Sequence, residues 1–439
     1  MLDLKVPSLA LCFFALSACG NEVVVDDGST GGAPGSGVSG PSGKTSSTTK
    51  AATTSTSTGA GGIGEPSNIY PAPHSAPPTV ANLGGPVLTA PNVIPIFFQN
   101  DDPTLKAGAL SFLQKVGSTA YWTATTSEYG VGPATTSALI TLNETPPAQI
   151  DDSQIQAWLT GKLNANDPSL PAADANKLYT IFYPSNVAIT LDNGDGTKAY
   201  SCQAFGGYHS NATLDAAHGS LAFAYAVIPR CGSFGPFSGI DGLTAPASHE
   251  LIEAATDPLP MSIPAFGQTD EDHLAWTIAL GGEVGDLCAQ LPDAFTNFPG
   301  FDNIAQRSWS NAAALAGHDP CVPVPPGQVY FNAAPKLTEN ITLFGGYQTK
   351  GVKIPVGQSK TIDVNLFSDG PTNGPFPVEA YDAGQSDLSL SFDQDSGENG
   401  QTLHLTIEVL GKGQYGFETF YLFSNLNGRR TMWVGAVGN

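Results

Sequence analysis

The chain has 439 residues, room for roughly two or three domains, and carries 17 Lys+Arg against 39 Asp+Glu for a formal net charge of −22. Without a basic surface to displace phosphate counterions, nucleic acid is excluded as a partner, and so is a polybasic membrane patch. Charged residues make up only 13%, about half the ~25% ordinary for a soluble domain. Gly (50) and Pro (35) are abundant and hydrophobics reach 41%, so a loop-rich, β-rich chain with a real core is expected.

Residues 1–18 read as a signal peptide, with Lys5 ahead of an apolar stretch over 8–15. Leu16-Ser17-Ala18-Cys19 resembles a bacterial lipobox, which implies Cys19 as the acylated first residue of the mature chain. Gly20 rather than Asp follows it. The expected location is therefore exported and lipid-anchored at the bacterial outer membrane or cell surface. No apolar run approaches the ~18–20 residues of a membrane-spanning helix. Residues 19–80 are rich in Ser, Thr and Gly, a composition unable to offset its ordering entropy, and read as a disordered tether.

Four cysteines remain after Cys12 and Cys19: Cys202, Cys231, Cys288 and Cys321. An even number in an exported chain points to two disulfides, and three pairings exist. The sequence-local pairing, 202–231 with 288–321, is the one expected. A four-cysteine zinc site is disfavoured because no Cys-x-x-Cys spacing occurs.

Residues 81–322 mix strands and helices. The run 93–98 is an apolar strand, and 103–116 an amphipathic helix with Leu105, Leu110 and Leu113 inward. Acidic residues at 151–152 open a second helix running to Leu163. The stretches 178–183 and 223–228 read as buried strands, and 192–197 as a hairpin turn. A helix over 244–256 is predicted with Pro246 in its first turn. Beyond the Pro-rich stretch 323–326, short period-two runs at 360–366, 388–392 and 403–407 predict a β-sandwich over 323–439.

One stretch carries chemistry: Ser248-His249-Glu250-Leu251-Ile252-Glu253-Ala254-Ala255-Thr256-Asp257. At helical spacing His249, Glu253 and Asp257 share a face, and Glu250 is turned about 100° from His249. Thirty residues after Glu253 comes Glu283-Val284-Gly285-Asp286, whose carboxylates a helical turn would present to one side. A solvated polar helix face is the plain alternative, but charged residues are scarce in this chain. Together the two stretches resemble the zincin metallopeptidases of the thermolysin-like, glutamate-ligand type, with Glu253 standing where their second histidine would be. That resemblance implies His249, Glu253 and Glu283 as ligands of a divalent metal, zinc above others. It further implies Glu250 as the catalytic general base and Asp257 and Asp286 as supporting carboxylates.

A second resemblance covers about 90–321. Tyr121-Trp122, Tyr129-Gly130, Cys202, Gly207-Tyr208-His209, Tyr225-Ala226-Val227-Ile228-Pro229, Cys231 and the run 249–258 are similar to bacterial relatives of the EXORDIUM/phosphate-induced protein family. It implies an exported, disulfide-bearing domain. His209 and His318 are further candidates for the cleft, and Glu271-Asp272-His273 for its rim. Acidic loops at 192–197 and 393–398 lack EF-hand spacing, and no G-x-S-x-G or phosphate-binding loop occurs.

The expectation is an α/β (α+β) zincin-like domain followed by an all-β, Ig-like sandwich, acting as an extracellular metal-dependent peptidase on peptide or protein. The alternative is a non-catalytic surface protein that binds cell-wall polymer through a degenerate metal site.

Overall fold

Alternation along the apolar runs decides the architecture. In a computed structural model describing residues 63–439 apart from 100, 235, 301, 385, 386 and 414, the strands Asn92–Phe98, Lys177–Tyr183 and Ala222–Pro229 lie side by side and parallel. Short strands Thr135–Thr136 and Ile140–Leu142 pair parallel to the first, and Tyr208–Thr213 closes the other edge antiparallel to Ala222–Pro229. Parallel strands are buried on both faces, and here alternate residues divide between two cores. Val93, Phe97, Leu178, Phe182, Ala224, Ala226 and Ile228 face the helix Asp241–Thr256, hereafter the motif helix. Ile94, Ile96, Tyr179, Ile181, Tyr225 and Val227 face the helix Asp152–Asn164 through Ile155, Leu159 and Leu163.

Helix ends follow local chemistry. Asp151 and Gln154 form a capping box ahead of Asp152–Asn164, an arrangement worth about 1 kcal/mol. Pro103–Val116 starts on Asp102, whose carboxylate accepts from Thr104 N and Leu105 N. Its inward face is Ala109, Phe112, Leu113 and Val116, with Leu105 and Leu110 only half-buried, a correction to the expected set. The motif helix begins three residues earlier than expected, because Leu243 N and Thr244 N already bond to Ile240 O. Pro246 therefore sits inside the helix, where it supplies no amide hydrogen to the Gly242 carbonyl one turn back.

Residues 192–197 do form a hairpin connection, between Ala188–Asp192 and Lys198–Tyr200. Both disulfides form in the sequence-local pairing, Cys202–Cys231 and Cys288–Cys321, as suits an oxidising, extracellular compartment. Among the described residues no helix is long and apolar enough to cross a membrane.

The C-terminal part is β throughout. Phe331–Pro335, Ser359–Ser368, Thr402–Val409 and Leu388–Phe392 form one sheet. A second sheet contains Glu339–Thr342, Gln348–Lys353, Arg429–Gly438, Phe417–Leu426, Phe376–Asp382 and Ser396–Gly397. Val364, Leu366, Leu405 and Ile407 from one meet Phe376, Val378, Phe420 and Leu422 from the other in a shared core. That core continues into the first part: Trp276 stacks edge-on against Trp433 at 5.9 Å. Buried Arg307 pairs with Asp293 and Asp319, and Arg429 of the sandwich joins the same Asp319 at 2.9 Å.

Residues 63–80 depart from the tether expected over 19–80. Thr402 N donates to Ile63 O, Ser67 N to Asn399 O and Val80 N to the Asn311 side chain. Buried partners on both parts of the molecule supply what composition alone could not. The expected signal peptide, Cys19 and the expected tether up to residue 62 lie outside the described residues.

Candidate metal centre

The motif helix is buried from Gly242 to Thr256, so its His/Glu face is not a solvated one. His249 is 6% exposed, Glu250 4%, Glu253 2% and Asp257 0%. The groups that these side chains meet come from two other places in the chain.

The edge strand Tyr208–Thr213 brings His209 over the helix: its Nδ1 lies 3.4 Å from Glu250 Oε2 and 3.8 Å from Glu253 Oε2, and its Nε2 lies 3.4 Å from Glu283 Oε2. The turn 283–285 and the short helix Asp286–Ala289 close the other side. Glu253 Oε1 accepts from both Gly285 N and Asp286 N at 3.1 Å, while its Oε2 stands 2.9 Å from His249 Nε2. Asp286 Oδ1 is 3.5 Å from the same His249 nitrogen. Two sets of ligand-type atoms, His249–Glu253–Asp286 and His209–Glu250–Glu253, each fall within 4.8 Å of one another. Glu253 belongs to both.

Gln306 fixes the His249 ring. Its Nε2 donates to Gly285 O at 2.6 Å, which turns its Oε1 to accept from His249 Nδ1 at 2.9 Å. Its own backbone is pinned by Ser248 Oγ and by the Tyr121 hydroxyl. A histidine held this way through one nitrogen offers the other to a ligand. Two glycines permit the close approach. A Cβ at Gly285 would stand 2.7 Å from both Glu253 Oε1 and His249 Nδ1, and one at Gly207 would stand 2.9 Å from Glu250 Cγ.

The electrostatics are those of a buried acidic cage. Burial alone would lower both histidines, but Glu250 and Glu253 overcome it, holding His209 above its ordinary value and raising His249 to about 9. Burial pushes Glu253 up, yet His249 and its hydrogen-bonding neighbours pull it down to about 2. Burial and the Glu253 charge push Glu283 and Asp286 well above the carboxylate range. Asp257 is raised to about 6, chiefly by burial. Among the described residues no lysine or arginine is ion-paired to any of these five carboxylates.

The expected site residues thus largely converge, with changes of place. Asp286, expected as a support, lies in the tight set around His249. Glu283 sits across His209 rather than beside His249. The pair does not share a helical turn: Glu283 precedes the short helix, and its N–H donates to Asp286 Oδ2. Asp257 caps the far end, accepting from Ala265 N at 2.8 Å. His318 is not part of the cluster; it is an exposed side chain paired with Asp369. His273 bonds to Asp270 and Ala76 O, a structural tie rather than a rim. Gln306 was invisible to motif reading because nothing around Gln306-Arg307 marks it. A narrow, mostly apolar cleft opens beside the cluster, lined by Gly207, Phe237, Pro246, His249, Glu250 and Phe295.

With this geometry in hand, comparison with known proteins adds little. No family model matches the chain, and no curated protein does. Solved structures match only over parts of it. Domains 4 and 5 of the S-layer protein SbsC share 17% identity at a TM-score of 0.17, covering 24% of this chain and 52% of that one. The chain therefore spans about half of that S-layer fragment. Titin M4 shares 14% at a TM-score of 0.15, covering 25% and 97%. The GAE domain of GGA2p from Saccharomyces cerevisiae shares 11% at 0.14, covering 24% and 96%. Scores this low carry no argument about function, which rests on the cluster itself.

Proposed function

We propose that the chain is an exported, lipid-anchored hydrolase that holds a divalent metal, zinc above others, in the His249–Glu253–Asp286 set and cleaves extracellular peptide or protein. One observation carries this reading: the buried motif helix sets His249 and Glu253 against Asp286 with ligand-type atoms within 4.8 Å of one another. One imidazole and two carboxylates are a donor set that a divalent ion accepts, zinc among them. A buried excess of carboxylates with no lysine or arginine is costly unless a cation compensates it.

His249 Nε2, Glu253 Oε2 and Asp286 Oδ1 would hold the ion, with His209 on the far side of Glu253. Bound there, the ion acidifies a water and polarises a carbonyl. Gln306 keeps His249 in the tautomer that presents Nε2. Glu253 keeps one oxygen for the backbone of 285–286 and the other for the ion. Glu250, facing both His209 and the apolar cleft, takes the proton from the attacking water and returns it to the leaving amine. The apolar cleft beside Glu250 has room for a water molecule and limits solvent at the site.

The test is chelator-sensitive cleavage of a protein substrate such as casein. Glu250→Gln should keep the metal and lose at least ~100-fold in rate. Cleavage that survives both chelation and Glu250→Gln would overturn the reading. A second reading, a non-catalytic surface protein that binds wall polymer, draws on Tyr381, Tyr421 and Phe423. Tyr421 and Phe423 stack at 5.7 Å and Tyr381 tilts against Phe423 at 5.7 Å on the second sheet, with Glu379 and Arg430 alongside.

A further inference from the structure

One divalent ion does not balance the buried cluster. Held by His249, Glu253 and Asp286, it compensates two carboxylates. Glu250, Glu283 and Asp257 remain in the same buried space, with no lysine or arginine paired to them among the described residues. The imidazole they share is that of His209, across Glu253 from His249.

We propose that His209, Glu250 and Glu253 form a second divalent-cation site, so that Glu253 joins two ions; this rests on the reading of His249, Glu253 and Asp286 as the first. Ligand-type atoms of the three side chains lie within 4.8 Å of one another. His209 Nδ1 stands 3.4 Å from Glu250 Oε2 and 3.8 Å from Glu253 Oε2. A buried charge-assisted hydrogen bond closes to about 2.7–2.9 Å. The longer separations are instead those of neighbouring ligands around an ion with bonds of about 2.0–2.2 Å.

Buried atoms without partners point the same way. The His209 side chain is 6% exposed, and its Nε2 makes no hydrogen bond among the described residues, although Glu283 Oε2 faces it at 3.4 Å. With Nδ1 on an ion, Nε2–H would donate to Glu283, the carboxylate that orients a ligating histidine. Asp257, fully buried, also has an Oδ2 with no hydrogen bond among the described residues. Gly207 makes room for Glu250: a Cβ there would stand 2.9 Å from Glu250 Cγ and 3.0 Å from Oε1. Glu250 thus turns Oε2 to His209 and Oε1 to Gly207, which lines the apolar cleft. One oxygen is free to hold the second ion while the other takes the proton from water. Two ions sharing a carboxylate in this way stand about 3.5–4 Å apart and clamp a reacting oxygen from both sides. Oxygen donors outnumber nitrogen in the second set, and Glu253 already serves the first ion. The second ion is therefore the weaker one, and manganese suits it.

The experiment loads the full chain with zinc, removes excess by gel filtration and titrates with manganese chloride. Bound manganese is read from loss of the free-ion electron paramagnetic resonance signal, and zinc by elemental analysis. Wild type should take up one manganese while keeping its zinc. His209→Ala should keep the zinc, which reports an intact fold and first site, and lose at least ~10–100-fold in manganese affinity. Glu250→Gln should do the same. A wild type that keeps zinc and takes up no manganese, manganese that only displaces zinc one for one, or a His209→Ala protein with wild-type manganese affinity would overturn the second site and leave the first standing. A wild type that holds neither ion would overturn both.

Discussion

Gly285 offers the sharpest test of the metal centre, because changing it adds one carbon without replacing a proposed ligand. Its backbone is right-handed helical, at φ −75° and ψ −38°, so alanine fits the chain conformation without strain. What alanine does not fit is the cage: its Cβ would stand 2.7 Å from Glu253 Oε1 and from His249 Nδ1, and 2.9 Å from His249 Cε1. Ordinary contacts at such a carbon begin near 3.4 Å, so both buried side chains must retreat by more than half an ångström. Overpacking of this kind costs about 1–3 kcal/mol. Weakening the Gly285 N–H bond to the Glu253 carboxylate adds about 1.5–3 kcal/mol. Ligand atoms displaced this far no longer meet at one point, so zinc affinity, read by competition with a chelating dye, should fall at least ~100-fold for about 3 kcal/mol. The metal-free variant should remain folded, with a lower Tm. A Gly285→Ala protein with wild-type zinc affinity would refute the packing on which the cage depends.

Gln306→Leu keeps the volume but removes the acceptor for His249 Nδ1, so zinc affinity should drop about 10–100-fold, measured by the same competition; an unchanged value would remove Gln306 from the site. Asp151 is held down at about 2 by hydrogen bonds from Lys198, Ser153 and Thr190, which outweigh its burial. A depressed carboxylate stabilises fully above its unfolded pKa near 4 and loses that contribution as pH falls through 2. Asp151→Ala should therefore cost about 1–2 kcal/mol at pH 7, with the gap to wild type closing between roughly pH 4 and 2 in denaturant titrations. Replacing Cys202 and Cys231 by serine opens a loop of 29 residues, which by chain entropy should cost about 3–4 kcal/mol in equilibrium unfolding.

Local signals made much of the fold legible. The helix Pro103–Val116 begins where Pro103 follows an acidic cap, and Asp151 with Gln154 declares a capping box. The parallel strands are apolar on both faces, as chains buried on both sides must be. The sandwich strands alternate as half-buried ones do, and cysteine spacing indicated the disulfides. The motif helix made its own part of the candidate site legible, and Glu283, Asp286 and His209 stood out beyond it, but their placement did not. His209 lies forty residues before His249 and Gln306 fifty-seven after it; only sheet order and the return of Ile304–Gln306 against the helix bring them together. Glu283 and Asp286 were read as one helical turn because their spacing allows it. The Asp286 carboxylate instead accepts from the Glu283 N–H and delays the helix to residue 286. The strap 63–80 is ordered by long-range partners such as Asn399 and Asn311, which no window of composition contains.

Elemental analysis after equilibration with micromolar zinc and gel filtration tests the cage most directly, comparing wild type with a protein carrying both His209→Ala and His249→Ala. Wild type should retain one zinc per chain and the double variant none, while both remain folded. A wild type that elutes free of zinc, or a double variant that keeps a full equivalent, would contradict the account.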